Sequence, residues 1–133
     1  MSFVLDARLA ADTFPIGDLE LSRVLLMDDA RFCWLILVPR QADSSELVDL
    51  DARNRTVLME EIAAVSEVLR GRPDVDKINV GALGNIVRQL HIHIIARSEG
   101  DPGWPGPVWG HGLREPYQHS DLRRFAETIR AAL

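Results

Sequence analysis

Cysteine is nearly absent from this sequence, since Cys33 is the only one among 133 residues. A single thiol excludes an internal disulfide, so the fold depends on burial of apolar side chains and not on cross-links. Apolar residues make up 47% of the chain, which is ordinary for a globular protein. The length fits a single domain spanning residues 1–133.

The chain also has little that would direct it to a membrane. Residues 1–6 carry neither the basic segment nor the apolar stretch of a secretory signal. Apolar runs elsewhere are all shorter than the roughly 18 residues needed to cross a bilayer. We therefore expect a cytoplasmic protein that has no membrane partner.

Basic residues are outnumbered and dispersed. Lys and Arg number 15 against 20 Asp and Glu, which gives a formal net charge of −5. No block of Lys or Arg is dense enough to follow a nucleic-acid backbone. We therefore do not expect nucleic acid as a partner.

Two stretches have the apolar spacing of a helix. Residues 51–70 have an apolar stripe with a possible cap at Asp51, and Gly71 follows to end the helix. Residues 120–133 have a second stripe, and Ser120 is suited to cap it. These patterns predict one long helix and one C-terminal helix.

Four apolar runs rich in β-formers indicate strands, and they are Leu19–Met27, Phe32–Val38, Lys77–Leu83 and Ile86–Ala96. The first two are joined by a polar turn containing Asp28-Asp29, and the last two by Gly84-Asn85, which suits a tight hairpin. The order ββαββα predicts an α+β fold, an antiparallel sheet with the helices packed on one face. Residues 1–18, 40–49 and 98–119 are predicted to be irregular.

The last of these strands contains two histidines, His91 and His93. Side chains alternate between the faces of a strand, so Gln89, His91 and His93 are predicted to project together from the open face of the sheet. The intervening apolar residues would face the helices, and they are Leu90, Ile92 and Ile94. A neutral histidine oriented through one ring nitrogen, by His93 or by a backbone carbonyl, can act as nucleophile or base. The alternative is a polar pair on a sheet face without a chemical role.

Two further segments allow both a functional and a purely structural interpretation. The Asn- and Gly-rich turn at residues 79–85 offers donors for phosphate oxygens, but it is equally consistent with a simple hairpin. Trp104 and Trp109 lie in a Gly- and Pro-rich tail, where they either wall a ligand pocket or pack locally over the sheet edge. Asp28-Asp29 is interpreted as a turn and not as a ligand for ribose.

The stretch NVGALGNIVRQLHIHII at residues 79–95 resembles the signature of the histidine triad (HIT) superfamily, in which three histidines alternate with apolar residues after an Asn- and Gly-rich hairpin. The stretch WLILVPR at residues 34–40 is similar to the family's second signature, an apolar strand ending in Pro and a basic residue. The resemblance covers about residues 20–97. The Trp- and Pro-rich tail resembles that of a bacterial branch of HIT-like proteins.

The resemblance implies an α+β fold that pairs as a homodimer and binds a nucleotide-like small molecule, with no cofactor. It implies that His91, the middle position, attacks the α-phosphate of a nucleotide ester, anhydride or phosphoramidate. The resulting nucleotidyl-histidine would be hydrolysed by water or passed to a second substrate. His93 would orient or contact phosphate, and the nucleotide contacts would come from Asn79, Gly84 and Asn85.

Three positions depart from the family signatures. Gln89 replaces the first histidine, Ile86 stands where many members have a phosphate-binding hydroxyl, and Ala42 replaces a histidine that ends the upstream signature. A glutamine can hold a hydrogen bond but does not titrate near neutral pH. A nucleotide-binding module with little or no turnover is therefore the alternative to an enzyme. A zinc site built on His91 and His93 is a third possibility, but no further ligand stands at a diagnostic spacing, and we predict no metal.

Overall fold

A five-stranded antiparallel sheet forms the centre of the molecule in the computed structural model, which describes residues 2–133. The strands are β1 (Thr13–Asp18), β2 (Ser22–Met27), β3 (Cys33–Pro39), β4 (Lys77–Gly81) and β5 (Ile92–Arg97). They lie in the order β1-β2-β3-β5-β4, so β1 and β4 form the two edges. The predicted α+β architecture is confirmed.

The predicted long helix is confirmed as α2 (Ala52–Arg70), and both of its ends are where the sequence indicates. At its start the Asp51 side chain accepts a hydrogen bond from the N–H of Asn54, and Gly71 follows its last residue. A single turn of 3₁₀ helix, Leu47–Asp49, precedes it. Within residues 2–133 no helix is both long and apolar enough to cross a membrane.

The C-terminal helix is also confirmed, as α3 (His119–Ala132), but its predicted cap is wrong. Gln118 occupies the cap position without a side-chain hydrogen bond, and Ser120 lies within the first turn. Both α3 and α2 cover the same face of the sheet. The core between them includes Leu26, Leu35, Leu37, Leu58, Val65, Leu90, Ile92, Ile94, Leu122 and Ile129. The predicted orientation of Leu90, Ile92 and Ile94 toward the helices is thus confirmed.

The prediction that residues 1–18 are irregular is wrong, because they contain α1 (Ala7–Asp12) and the edge strand β1. The Asp6 carboxylate caps α1 by accepting hydrogen bonds from the N–H groups of Arg8 and Leu9. Strand β1 pairs with β2, but its register shifts between Pro15 and Gly17. These two residues interrupt the alternating pattern and hide the strand in the sequence.

The predicted tight hairpin at Gly84-Asn85 is also wrong. Strand β4 ends at Gly81 and β5 begins only at Ile92, so a ten-residue loop, 82–91, connects them. Gly84 has the positive φ of 72° expected of a turn residue. The first half of the predicted strand Ile86–Ala96 is therefore not paired with β4. Within it, the N–H of Leu90 donates instead to the carbonyl of Ser44, 2.8 Å away.

The second face of the sheet is covered and not open as predicted. A second hydrophobic cluster lies there under α1 and the tail, and it contains Leu9, Leu25, Phe32, Trp34, Ile36, Val38, Ile95 and Val108. His91 and His93 are consequently only 7% and 6% exposed. The tail itself, residues 98–118, has no regular element, as predicted.

Glu61 on α2 joins the helix to the start of β2. Its carboxylate accepts hydrogen bonds from the N–H groups of Leu21, at 2.8 Å, and Ser22, at 3.1 Å, and Glu61 is only 7% exposed. We expect Glu61→Ala to lower the free energy of unfolding by about 2 kcal/mol, because each buried N–H left without an acceptor costs about 1–3 kcal/mol. Denaturant unfolding measures the change. Glu61→Gln should lose less because it keeps an acceptor.

The matched control is Glu60→Ala, one position away on the exposed side of α2. Its unfolding midpoint should be unchanged within about 0.5 kcal/mol, as for most surface positions. Equal losses at positions 60 and 61 would contradict the assignment of Glu61 as a link between α2 and β2.

Candidate functional site

A cavity of about 640 Å³ opens on the second face of the sheet, beside both histidines. It is walled by α1, by the ends of β2 and β3, by the loop 82–91 and by the tail. Its lining residues include Arg8, Leu9, Asp12, Met27, Asp29, Arg31, Trp34, Gly84, Asn85, Ile86, His91, His93, Val108, Trp109, His111 and Arg114. A cavity of this size accommodates a nucleotide-sized molecule.

His91 is the last residue of the loop before β5. Its Nδ1 lies 2.7 Å from the main-chain carbonyl oxygen of Gln89. Because a carbonyl oxygen only accepts hydrogen bonds, this contact requires a proton on Nδ1. In the neutral ring Nε2 then carries the lone pair, which is the state that a nucleophile or base needs. Of the two orienting groups predicted for His91, the structure has the backbone carbonyl.

His93 lies on β5 and is enclosed by aromatic rings. The indole N–H of Trp34 donates to its Nδ1 at 2.9 Å, and in the neutral ring the proton is therefore on Nε2. The His93 ring packs edge to face against His91 and Trp109, with centroids 4.9 Å and 5.3 Å away. Burial, and to a lesser extent the neighbouring charge on His91, lower the pKa of His93 to about 3. His93 is thus a neutral hydrogen-bond donor at ordinary pH.

Gln89 does not join the two imidazoles in a row. It precedes β5, and its side chain is turned toward the N-terminal segment. The side-chain oxygen accepts from the N–H of Asp6 and the side-chain nitrogen donates to the carbonyl of Val4, each at 2.8 Å. Gln89 lines a separate small groove and not the main cavity. The hydrogen bond between Gln89 and His91 is made by the main-chain carbonyl of Gln89.

Of the three residues predicted to contact the nucleotide, two line the cavity and one does not. Gly84 and Asn85 line the cavity, whereas Asn79 does not. The side-chain oxygen of Asn79 instead accepts from the guanidinium of Arg97 at 2.9 Å. Arg97 is only 1% exposed and also forms an ion pair with Asp101. Of the three departures from the signature, Ile86 lines the cavity and Ala42 does not.

The sequence interpretation missed Asp29, which was assigned to a turn alone. It does lie between β2 and β3, but it also lines the cavity and is only 2% exposed. Burial alone would raise the pKa of this carboxyl, but hydrogen bonds from the Arg31 side chain and from the N–H groups of Arg31 and Glu115 outweigh it and lower the pKa. Asp29 therefore remains charged at neutral pH. The sequence feature that could have identified Asp29 as a cavity residue was its position just after the buried strand β2.

The two tail tryptophans take different roles. Trp109 walls the cavity, and its ring covers Gly81, where an added Cβ would lie 2.8 Å from the ring. Gly81 therefore has to lack a side chain for Trp109 to reach His93. Trp104 instead packs beside the guanidinium of Arg97, with its ring centroid 5.8 Å away.

The alternative of a zinc site at His91 and His93 would need a third ligand close to both. In the part of the chain that the structure describes, no three His, Cys, Asp or Glu side chains are grouped so as to hold a metal ion. His111 lines the cavity but is exposed, and His119 is exposed at the start of α3.

The burial of His93 has a consequence for stability. Its pKa is about 3 in the folded protein against 6.5 for an unperturbed histidine, so unfolding takes up a proton below pH 6.5. The free energy of unfolding should therefore fall by about 2 kcal/mol between about pH 7 and pH 5 through this residue alone. His93→Gln, which keeps an acceptor for Trp34, should remove that part of the decline. Denaturant unfolding at a series of pH values measures it.

His119→Gln is the control, because His119 is exposed and its replacement should leave the pH dependence of wild type intact. An identical decline in wild type and His93→Gln would mean that His93 gains a proton within the folded protein.

The family profile of the HIT domain matches residues 8–100. The crystal structure of a histidine triad protein from Sinorhizobium meliloti 1021 is 50% identical and has a TM-score of 0.95, with 98% of this chain and 97% of that chain covered. One from Bradyrhizobium japonicum is 45% identical, with a TM-score of 0.95 and coverage of 99% and 98%.

A histidine triad protein from Marinobacter aquaeolei VT8 is 43% identical, with a TM-score of 0.93 and coverage of 100% of this chain and 97% of that one. None of the curated proteins compared matches the chain. The family match spans well over half of the chain, and the solved structures agree with it in sequence and in fold. The protein therefore belongs to the histidine triad (HIT) family.

Proposed function

We propose that the protein is a nucleotide phosphoester or phosphoramidate hydrolase, or a nucleotidyl transferase, that acts through a nucleotidyl-His91 intermediate. The observation that carries this proposal is the 2.7 Å contact between Nδ1 of His91 and the carbonyl of Gln89, which leaves Nε2 with a lone pair. His91 also lines a cavity large enough for a nucleotide. Membership in the HIT family supports nucleotide chemistry in general.

The first step forms a bond between Nε2 of His91 and the α-phosphorus, while the P–O or P–N bond to the leaving group breaks. The leaving group departs with the electron pair and takes a proton from solvent. In the second step water, or another acceptor, attacks the same phosphorus and the P–Nε2 bond breaks. The nucleotide leaves, the attacking molecule loses a proton, and His91 is restored.

His93, Gly84 and Asn85 would hold the phosphate during both steps. His93 is neutral, so its Nε2–H can donate to a phosphate oxygen without adding a second charge beside His91. Gly84 and Asn85 line the cavity and offer main-chain and amide donors. Asn79 would act indirectly, since its amide oxygen is already bonded to Arg97.

A chemical trap tests the intermediate. Protein mixed with a nucleotidyl phosphoramidate or a dinucleoside polyphosphate is quenched in denaturant at alkaline pH, because the P–N bond to histidine hydrolyses in acid. We expect a nucleotidyl adduct on His91 by mass spectrometry. His91→Ala should lose the adduct and reduce turnover by a factor of roughly 10³ or more, as expected when a nucleophile is removed.

His119→Ala is the matched control, because this exposed histidine on α3 lines none of the cavities described and should leave the adduct unchanged. An adduct on any other residue, or turnover that survives in His91→Ala, would contradict the proposed mechanism.

The second candidate is a nucleotide-binding module with little or no turnover. It is favoured by Gln89, whose amide is occupied by Val4 and Asp6, and by Ile86, an apolar side chain at the cavity. Neither residue can transfer a proton to a leaving group. Calorimetry with nucleoside monophosphates separates the two candidates. Tight binding that survives in His91→Ala, without an adduct in wild type, would establish the binding module.

We also propose that the protein forms a homodimer through the β4 edge of the sheet. Only one side of β4 is paired, with β5, and apolar side chains around it are exposed. Val80 on β4 is 49% exposed, and Met59 on the adjoining helix α2 is 61% exposed. A second copy related by a two-fold axis can pair with this edge and cover both side chains.

Light scattering after size-exclusion chromatography measures the assembly. We expect wild type to be a dimer at micromolar concentration and the double variant Val80→Lys, Met59→Lys to be a folded monomer, because two buried like charges from each copy would oppose pairing. Leu113→Lys, at an 88% exposed position on the tail, should remain dimeric. A wild-type monomer, or loss of the dimer in Leu113→Lys, would contradict an interface at β4.

A further inference from the structure

The side chain of Gln89 binds the main chain of the N-terminal segment beside the cavity, and Phe3 and Leu5 of that segment also pack against the second hydrophobic cluster. The amide of Gln89 makes two hydrogen bonds of 2.8 Å, one to the N–H of Asp6 and one to the carbonyl of Val4. Asp6 and Val4 precede Gln89 in the sequence by 83 and 85 residues. Both partners of the Gln89 amide are main-chain atoms, so the two contacts do not depend on which side chains the N-terminal segment carries.

The fastened segment leads directly into α1. Asp6 accepts hydrogen bonds from the N–H groups of Arg8 and Leu9, which fixes the first turn. Leu9 is only 5% exposed and packs into the second hydrophobic cluster. Arg8, next to it, lines the cavity. Gln89 thus helps to fix the main chain from which the Arg8 side chain extends.

Arg8 differs from the other two arginines at the cavity in its partners. Arg31 forms an ion pair with Asp29 at 2.8 Å, and Arg114 forms one with Asp12 at 3.5 Å. Asp12 and Asp29 are the carboxylates of the cavity wall, so both are already paired. Within residues 2–133, no carboxylate lies within ion-pair distance of Arg8.

We infer that Arg8 forms a subsite for a second anionic group of the substrate, distinct from the phosphate that His91 attacks, and that Gln89 is the residue that positions this subsite. The inference rests on the proposed function, because it concerns the substrate of the same cavity. A positive charge without a partner beside a nucleotide-sized cavity favours a ligand that supplies the missing anion.

Glutamine is suited to this positioning role in a way that histidine is not. Its amide presents a donor and an acceptor side by side, which matches the carbonyl of Val4 and the N–H of Asp6. A neutral imidazole has its donor and acceptor on opposite sides of the ring, and a charged one has no acceptor. The replacement of the first histidine of the signature therefore exchanges a titratable group for an anchor of the N-terminal segment.

The anionic group can belong to the leaving group or to the ribose. Three probes separate these sources, built on whichever nucleoside monophosphate binds most tightly. The first is the 5′-phosphoramidate of glycine, which has a carboxylate on the leaving group. The second is the phosphoramidate of glycinamide, which has nearly the same size without that charge. The third is the glycinamide compound with an additional phosphate on the 3′-hydroxyl.

Dissociation constants from calorimetry and kcat/KM are measured for all three probes with the full-length protein. We expect wild type to prefer one of the anionic probes over the glycinamide compound by about fivefold, the size of a partly exposed ion pair. Arg8→Met should reduce that preference to about one. Arg88→Met, an exposed arginine outside the cavity lining, should retain it.

Gln89→Leu tests the positioning role, since it removes both side-chain hydrogen bonds and keeps the main-chain carbonyl that holds His91. We expect it to raise KM for the preferred anionic probe more than for the glycinamide probe, and to add nothing to this loss when combined with Arg8→Met. Deuterium exchange at the Asp6 amide should accelerate in Gln89→Leu and stay at the wild-type rate in Arg8→Met. If Gln89 had only a structural role, Gln89→Leu would weaken the binding of all three probes equally.

Equal affinity of wild type for all three probes would overturn the inference and leave the proposed function in place. Binding of no probe at all would overturn both. A preference that persists in Arg8→Met would show that another group supplies the charge, and a preference that persists in Gln89→Leu would show that the N-terminal segment needs no anchor at this position.

Discussion

Nε2 of His91 has a free lone pair because the other ring nitrogen is bonded to the main-chain carbonyl of Gln89, 2.7 Å away. This bond is made just before β5 begins at Ile92. The N–H of Leu90 donates to the carbonyl of Ser44 and not to β4, so residues 89–91 lie outside the hydrogen-bonded ladder of the sheet. The same residue fastens the N-terminal segment through its side chain. The tautomer of His91 and the wall of the cavity therefore depend on one position.

Coverage of the sheet on both faces determines the electrostatics of the site. Because α1 and the tail bury the face that carries the histidines, a proton on His93 would be a charge in an apolar enclosure, and its pKa falls to about 3. Trp34 fits the same state, since its N–H donates to the ring nitrogen that a neutral His93 leaves unprotonated. His93 thus serves as a fixed neutral donor beside His91.

The sequence alone was sufficient for the central architecture, because α2 and α3 have clear apolar stripes and the apolar residues of β5 alternate. The same alternation was sufficient to predict that His91 and His93 point away from the helices. It failed at α1 and β1, where a six-residue helix has too few turns for a stripe and Pro15 and Gly17 interrupt the strand. The position of Gln89 and the role of Asp29 at the cavity were missed because some of their partners, Val4 for Gln89 and Glu115 for Asp29, are distant in sequence, and no local pattern reports contacts of that range.

The exchange of histidine for glutamine at position 89 changes what the site can do with protons. Gln89 does not titrate, His93 stays neutral, and Asp29 is held as a carboxylate by Arg31. None of these groups is acidic enough to protonate a leaving group at neutral pH, although His93 can donate a hydrogen bond. A leaving group that is already a weak base needs no such proton, whereas an alkoxide or amide anion does. In the proposed reaction a phosphate leaving group therefore needs no proton from these groups, whereas the amine released from a phosphoramidate takes its proton from solvent.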